Sequence, residues 1–475
     1  MTGSGTAGAY HAGVLRSLQE AGVKIDLVAG RGIGVASAMF SAVDGGAALW
    51  DNEGAWNSRF SRKFYDWRLT VKTAIVTLLV ALSAFLAPLI VIVTAAIVYP
   101  VGFILHLAGL NVGDRLALSY TQLVEVVFQP DVLPLIIPRF ISIALLVFIG
   151  VLVVGELLPR IWRQHRRSQG AVLWRLFGAP LSVSRIKSHF TDHLWAVMRG
   201  ATKISKPEVQ DLSERYAELL SDNLGQPGFR ELIVTVQDLD ARRDLVFGLL
   251  ASDDHDSFFG RRLGVKERGR EVEAIDLSDP AQVHAVDVLS ASVRVPVVTE
   301  AHLTKFGTGT AWSDETHRLC DRPDAIGRLL EEVALAGVEQ VILVSAVPEP
   351  KGPHSLTAGR RDLRGRVGEV LHAVETSSLR DALAAWEPSF QAVFHIHPIH
   401  NPLGPFDFSG IYDEKSDRLF KPTDLMAIGS DDGFKQFVDS VFGASGEGIG
   451  PQVLTKPEFQ EESPADSLII PRPDV

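Results

Sequence analysis

The chain has 475 residues, a formal net charge of −11 and a pI near 5.7. This charge argues against a dedicated nucleic-acid-binding protein, which would carry clustered positive charge. The only cysteine is Cys320, so no disulfide can form within the chain, as is usual for a cytoplasmic domain. No cysteine-nucleophile motif surrounds Cys320, and we interpret it as a passive residue. The length allows one large domain or two ordinary ones.

A glycine-rich segment opens the chain. Residues 3–8 match Gly-x-Gly-x-x-Gly and precede a predicted helix from Tyr10 to Ala21. Backbone N–H groups at such a turn hold an anion, either a phosphate or the oxyanion of an acyl-transfer intermediate. The candidate anion-binding residues are Gly3, Ser4, Gly5, Thr6 and Gly8. A dinucleotide site is the weaker interpretation, because its acid should end the second strand, whereas Asp26 precedes the apolar run 27–29.

A second motif follows at residues 30–34, Gly-Arg-Gly-Ile-Gly. It lies between the apolar run 27–29 and a predicted helix of small residues, 35–42. A strand, a tight glycine-rich turn and a helix form a nucleophile elbow, in which a serine stands at the apex of Gly-x-Ser-x-Gly. Here the apex residue is Gly32. Ser37 and Ser41 lie on the following helix and are predicted to point away from the apex.

Together, the two motifs resemble the N-terminal block of patatin-like phospholipases. The resemblance implies a three-layer α/β fold related to α/β-hydrolases, with a mostly parallel sheet and a strand ahead of the glycine-rich loop. Only Met1 and Thr2 precede that loop, so we expect the true start to lie upstream. The family uses a serine and an aspartate to cleave acyl esters of membrane lipids, with the loop holding the oxyanion.

The resemblance extends to an Ala-Ser-x-x-x-Pro segment at residues 291–296. In the family this segment precedes the catalytic aspartate of an Asp-Gly-Gly turn, which places that acid at Asp314. Glu315 and Thr316 replace the two glycines. Gly32 occupies the nucleophile position, so the resemblance implies a degenerate lipid acyl hydrolase that acts by binding lipid or a partner. The alternative is an active hydrolase in which Asp314 or Asp407 activates water.

Two apolar stretches predict an inserted transmembrane hairpin. Residues 73–110 contain no Asp, Glu, Lys or Arg, which exceeds the roughly 20 residues that a spanning helix needs. The predicted spans are Thr73–Val98 and Phe140–Leu158, and basic residues flank both outer ends. The positive-inside rule then predicts a multi-pass protein of the bacterial inner membrane, with its patatin-like domain in the cytoplasm and membrane lipids as its partners.

This organisation divides the chain into four parts: a patatin-like segment at 1–70, the hairpin at 71–158, the rest of the patatin-like domain at 159–443, and a tail at 444–475 predicted to be disordered. Strands are predicted at 229–236, 340–345 and 390–396, and helices at 325–336 and 365–385. His395, His397 and His400, with Asp407 nearby, have the residue types of a metal site. Because nothing else in the resemblance requires a metal, we predict neither a metal nor a cofactor.

Overall fold

A computed structural model of the chain describes residues 1–58, 64–129, 133–152, 178–260, 272–278, 281–307, 310–347, 363–398, 412–413, 418–419 and 421–442. Over these residues the protein is mixed α/β, with helices packed on both faces of a mixed sheet. The predicted α/β class is therefore confirmed. The tail at 444–475, His400 and Asp407 lie outside the described residues.

The main sheet has six strands, in the order β6-β5-β4-β8-β7, with β1 also beside β4. β1 runs parallel to β4 and β5 runs parallel to β6, whereas β4–β5, β4–β8 and β7–β8 are antiparallel. The described strands are β1 Leu27–Arg31, β2 Asp66–Trp67, β3 Leu181–Ser182, β4 Glu231–Asp238, β5 Arg243–Leu249, β6 Ala274–Asp276, β7 His302–Lys305, β8 Thr316–Cys320, β9 Gln340–Val344, β10 Ala392–Ile396, β11 Tyr412–Asp413 and β12 Arg418–Leu419. The sheet is thus less parallel than the resemblance implied.

The first three residues pair like a short strand between β1 and β9. Met1 N donates to Ala29 O at 2.8 Å, and Arg31 N donates to Met1 O at 3.1 Å. On the other side, Thr2 N donates to Val344 O at 3.0 Å. Since β9 and β10 form a parallel pair, this short segment joins that pair to the main sheet. Residues 1–3 therefore occupy the place at which the sequence predicted a missing strand.

Alternating side chains bury both faces of the central strands. Leu232, Val234 and Val236 of β4 enter one core cluster, whereas Ile233 enters another on the opposite face. This period of two places one set of β4 side chains in the cluster with the helices Gly34–Ala42 and Ala285–Ser292, and the other in the cluster with the helices Ile326–Leu335 and Leu363–Trp386. Burial on both faces explains the nearly continuous apolar sequence of β4.

The helices that make these layers are α1 Ala7–Glu20, α2 Gly34–Ala42, α3 Ala47–Trp50, α4 Leu69–Phe85, α5 Ala87–Leu107, α6 Val112–Val127, α7 Leu133–Leu152, α8 Ser184–Arg199, α9 Val209–Asn223, α10 Ser252–Phe259, α11 Ala285–Ser292, α12 Ile326–Leu335, α13 Leu363–Trp386, α14 Pro422–Gly433 and α15 Asp439–Phe442. A π-helical turn, Phe434–Val438, follows α14. The predicted helices 325–336 and 365–385 correspond to α12 and α13, and the predicted strands 229–236, 340–345 and 390–396 to β4, β9 and β10.

The prediction of a multi-pass membrane protein is wrong. Among the described residues, one helix is long and apolar enough to span a membrane, at Leu89–Leu107. The first predicted span is broken at Leu86, where α4 ends and α5 begins, so Pro88 starts a helix instead of kinking one. Of the second predicted span, residues 140–152 are described and belong to a helix whose apolar part is the short stretch Arg139–Val151, whereas residues 153–158 lie outside the described part of the chain. The four helices α4–α7 pair as α4 with α7 and α5 with α6.

Candidate functional site

Gly32 lies at the apex of a sharp turn between β1 and α2. β1 ends at Arg31, Gly32 has φ +56°, and α2 begins at Gly34. Glycine enters this left-handed region without steric cost. A Cβ atom on Gly30 would lie closer than 3.0 Å to the carbonyl oxygen of Gly34, so strand and helix approach too closely for a side chain there. This is the strand–turn–helix geometry of a nucleophile elbow.

A buried guanidinium lies beside the apex. Arg31 is fully buried, and its Nη1 atom donates to both carboxylate oxygens of Asp321, at 3.2 and 3.1 Å. Its Nε atom donates to Thr2 Oγ1 at 2.7 Å, and its Nη2 atom pairs with Glu375. Asp321 directly follows β8, and Glu375 lies in α13. This cluster therefore connects the elbow to the main sheet and to the outer helix layer.

Two carboxylates share one guanidinium in this cluster. Burial raises the pKa of Asp321 to about 6; Arg31 opposes that shift and the charge of Glu375 adds to it. Burial also raises the pKa of Glu375, again against the effect of Arg31. Burial alone would lower the pKa of Arg31, but the two carboxylates raise it instead. Arg31 therefore stays charged, and each of the two carboxyl groups binds its proton more tightly than it would in water.

The glycine-rich loop forms hydrogen bonds within the protein. Residues 3–8 are all buried. Ser4 Oγ donates to Asp321 Oδ2 at 3.3 Å, and Gly3 O accepts the N–H of Ile33 at 2.9 Å. Burial raises the pKa of the buried Tyr65, Asp321 and Glu375 add to the shift, and a hydrogen bond from the Gly5 backbone opposes it. The Ser4 hydroxyl and the Gly5 backbone, which belong to the loop that would hold an oxyanion in a hydrolase, therefore contact protein atoms here.

The apex has no room for a side chain. A Cβ atom on Gly32 would lie closer than 3.0 Å to Gly3 O, and 3.0 Å from Asp321 Oδ2. Because residues 1–3 pair with both β1 and β9, Gly3 cannot withdraw without breaking sheet hydrogen bonds. The turn accommodates glycine at position 32 and excludes serine in this arrangement.

The structure places Asp314 away from Gly32. Asp314 lies between β7 and β8 with φ +60°, its side chain is 74% exposed, and it pairs with Lys305 at 3.4 Å. The carboxylate next to the apex belongs to Asp321, seven residues later. The alignment to an Asp-Gly-Gly turn shifted the register, because the acid beside the apex comes where β8 ends. Asp26 is also exposed and pairs with Lys24.

Of the two serines on α2, Ser37 has a side-chain partner, whereas the buried Ser41 hydroxyl has no hydrogen-bond partner among the described residues. Ser37 Oγ lies 3.5 Å from His11 Nδ1, and His11 Nε2 lies 3.0 Å from Thr2 O. Burial lowers the pKa of His11 to about 3, so its imidazole is neutral and its Nε2 donates to the carbonyl. Both side chains lie beneath the turn, buried between α1 and α2. This agrees with the prediction that Ser37 does not replace the missing nucleophile.

The histidines at the end of β10 have separate partners. His395 Nε2 lies 2.7 Å from Ser345 Oγ, whereas the backbone of His397 exchanges hydrogen bonds with the Gln436 side chain. Burial, with a smaller contribution from the neighbouring His397, lowers the pKa of His395 to about 4. Within the described ranges, no group of three His, Cys, Asp or Glu residues is arranged to hold a metal.

The surface also carries a shallow cavity of 470 Å³ between α12 and α13. Asp324, Val374, Ser378 and Trp386 are among its lining residues, and neither Gly32 nor the glycine-rich loop lines it. This cavity therefore does not open onto the turn at Gly32.

Sequence reasoning missed Arg31, Asp321 and Glu375. Two signals were present: Arg31 is the only charged residue inside the Gly-x-Gly-x-Gly turn, and Asp321 directly follows a strand-like run. A charge at a buried turn needs buried partners of opposite charge, which predicts acids at other strand ends. Glu375 gave no comparable signal, because nothing in its helix distinguishes it from the other acids.

Comparison with known proteins assigns no family, because no family model and no curated protein matches the chain.

Proposed function

We propose that the chain is a patatin-like protein that has lost its esterase chemistry and acts by binding lipid. The observation that carries this proposal is Gly32 at the apex of an elbow whose carboxylate neighbour, Asp321, is still in place. The glycine-rich loop, the elbow and the acid after β8 have the relative order that the patatin-like resemblance implies.

The chemistry that the apex would perform requires a hydroxyl group. In a serine–aspartate pair the carboxylate takes the hydroxyl proton while the oxygen attacks the ester carbonyl. Glycine supplies no such atom, and loss of the serine in comparable hydrolases lowers kcat by about a millionfold. Ser37, on the helix that follows the apex, lies against His11 beneath the turn.

Two neighbouring contacts support the loss of activity. Both carboxylate oxygens of Asp321 already accept hydrogen bonds from Arg31 Nη1, so they are engaged although burial raises the pKa of the group. The N–H of Ile33, which follows the apex and would face an oxyanion, is bonded to Gly3 O at 2.9 Å. Both the general base and one oxyanion donor are therefore occupied.

A direct assay tests the loss of activity. The purified full-length protein is incubated with short-chain p-nitrophenyl esters and with phospholipids, beside Gly32→Ser and Asp321→Asn variants. We expect no turnover above buffer for any of the three. Gly32→Ser stays inactive because the new Cβ atom collides with Gly3 O. Turnover by the unmodified protein that disappears in Asp321→Asn would overturn the proposal.

One observation favours the alternative of an active hydrolase that uses water. Burial raises the pKa of Asp321 to about 6, close to the working pH of a general base. In that case the unmodified protein would show a pH–rate profile rising through about pH 6, and Asp321→Asn would abolish it. The absence of turnover at every pH from 5 to 9 would exclude this alternative.

A further inference from the structure

We propose that Trp67, Leu69 and Val297 form a membrane-docking rim that lies at the surface of a phospholipid bilayer while α5 enters the lipid. This inference rests on the proposed lipid binding and specifies how lipid is contacted. It involves one membrane-entering helix and a surface contact.

The exposure of α5 identifies lipid as the occupant. Only 6% of its apolar window is buried, although a core helix of this composition would be mostly covered. Leu89, Ile90, Ile92 and Val93 are each 46–66% exposed. At 100° per residue these four positions spread over about 160° of the helix circumference. Tyr99 and Val101, 46% and 43% exposed, widen the exposed face to about 200°, and the opposite side packs against α6. One partner helix covers a stripe of only about 100°, so an exposed face of this width suits the acyl region of a bilayer.

The rim lies where the helices leave the sheet-containing part of the protein. β2 pairs with β3, and Leu181 of β3 forms a parallel β-bridge with Thr299, so three short segments lie side by side. Leu181 N donates to Val298 O at 3.1 Å. α4 begins at Leu69, immediately after β2. The rim is therefore continuous with the apolar surface of α4.

Val297 is the most unusual residue of the rim. Its side chain is 88% exposed, and its φ is +69°. The left-handed region is unfavourable for a branched residue, which makes Val297 a genuine outlier. An apolar side chain that is both strained and exposed contributes nothing to the core. Contact with an apolar phase outside the protein gives it a favourable environment.

The residues around the rim suit an interface between water and lipid. Trp67 is 40% exposed and Leu69 66%. Arg68 pairs with Glu300 at 2.6 Å, whereas Lys72 and Arg185 both pair with Asp66, at 2.7 and 3.3 Å. Three cations against two acids leave one positive charge, which complements lipid phosphates. Tryptophan and basic side chains concentrate at this depth of a membrane.

Site-directed spin labelling tests the depth of the rim. A nitroxide is attached to Val297→Cys, and as a control to Lys24→Cys, which lies before β1 with a side chain 87% exposed. Cys320, 1% exposed, does not compete for the reagent, because burial raises its pKa to about 12. The full-length protein is reconstituted into vesicles of phosphatidylcholine and phosphatidylglycerol, and collisions with oxygen and with a water-soluble nickel complex are compared.

We expect the label at 297 to collide several-fold more with oxygen than with nickel, and the label at 24 to show the reverse. If the protein is reconstituted but the label at 297 behaves as the label at 24 does, the rim is wrong and lipid binding by α5 stands. If the protein does not associate with the vesicles at all, the proposed lipid-binding function fails as well.

Substitutions provide a second readout. Val297→Gly relieves the left-handed backbone, so it raises Tm while it lowers the fraction of protein that co-sediments with the vesicles several-fold. Val297→Asp, a residue that tolerates positive φ, also lowers co-sedimentation. The matched control is Val370→Asp in α13, where the native side chain is 62% exposed, and it binds as the unmodified protein does. Unchanged binding of Val297→Asp, or a lower Tm in Val297→Gly, would overturn the rim.

Discussion

The Nη1 atom of Arg31 lies 3.1 Å from Oδ2 of Asp321, and both side chains are almost wholly shielded from water. Asp321 Oδ2 is also the atom that a side chain at position 32 would approach to 3.0 Å. The carboxylate beside the apex of the elbow is thus bound to the Arg31 cation and to the Ser4 hydroxyl, and not to a side chain at position 32. The environment of these residues and of a second buried ion pair leads to five predictions.

Replacing Gly32 with alanine destabilises the protein more than the same change at an open glycine. The left-handed backbone costs roughly 1–2 kcal/mol, and the new Cβ atom must also displace Gly3. The expected loss in the free energy of unfolding is at least about 2 kcal/mol. The control is Gly22→Ala, where φ is +71° and no atom lies within 4 Å of the new Cβ. Equal losses in Tm for the two variants would contradict the crowding at the apex.

Replacing Arg31 with methionine removes the cation and leaves two buried carboxyl groups. Breaking a buried ion pair in this way costs about 3–5 kcal/mol, measured by thermal or urea unfolding. A triple variant that also carries Asp321→Asn and Glu375→Gln recovers most of that loss, because no unpaired charge remains. An Arg31→Met protein as stable as the unmodified one would show that the cluster does not contribute to the fold.

The carboxyl group of Asp321 makes stability fall as the pH rises from about 4 to about 6. The folded protein holds this proton more tightly than the unfolded chain does, since burial raises the pKa to about 6. Between those pH values the unfolded state binds fewer protons, so the free energy of unfolding decreases with pH. A shift of about two units corresponds to roughly 3 kcal/mol. Asp321→Asn removes this slope; an unchanged profile in that variant would exclude Asp321 as its source.

His317 makes stability fall with rising pH in the same direction, but over a higher pH range. It pairs with Asp238 and lies 3.0 Å from Glu315. Burial lowers the pKa of His317, but these two acids outweigh it and raise the pKa overall. Its contribution to stability is therefore complete below the unfolded pKa of about 6.5 and is lost as the pH rises through the higher folded value. His317→Gln abolishes that loss.

Trp312 reports this titration directly. Its ring centroid lies 4.9 Å from that of His317, close enough for the charged imidazolium to quench its fluorescence. We expect the emission difference between the unmodified protein and Trp312→Phe to increase as His317 loses its proton above pH 6.5. A difference spectrum that does not change with pH would contradict the assignment of the titration to His317.

The local sequence predicted the individual helices and strands better than it predicted which of them lie side by side. Turn glycines and apolar runs identified the elbow, β4, β9 and α12, because each depends on neighbours in the sequence. The acid beside the apex was predicted at Asp314 and lies at Asp321, since that choice depends on how β8 pairs with β4. The break at Leu86 was missed because apolar composition continues through it, and helix ends within such a run leave no polar signal.

Residues 1–3, which lie between β1 and β9, join two sheets. In the described part of the chain, residues 1–3 connect the β9–β10 pair to the main sheet, and Thr2 N donates to Val344 O. Glu375, on the helix that covers that side, meets Arg31 across the same boundary. The sharp turn that would carry the nucleophile in a hydrolase thus lies, in this protein, where the β9–β10 pair is joined to the main sheet.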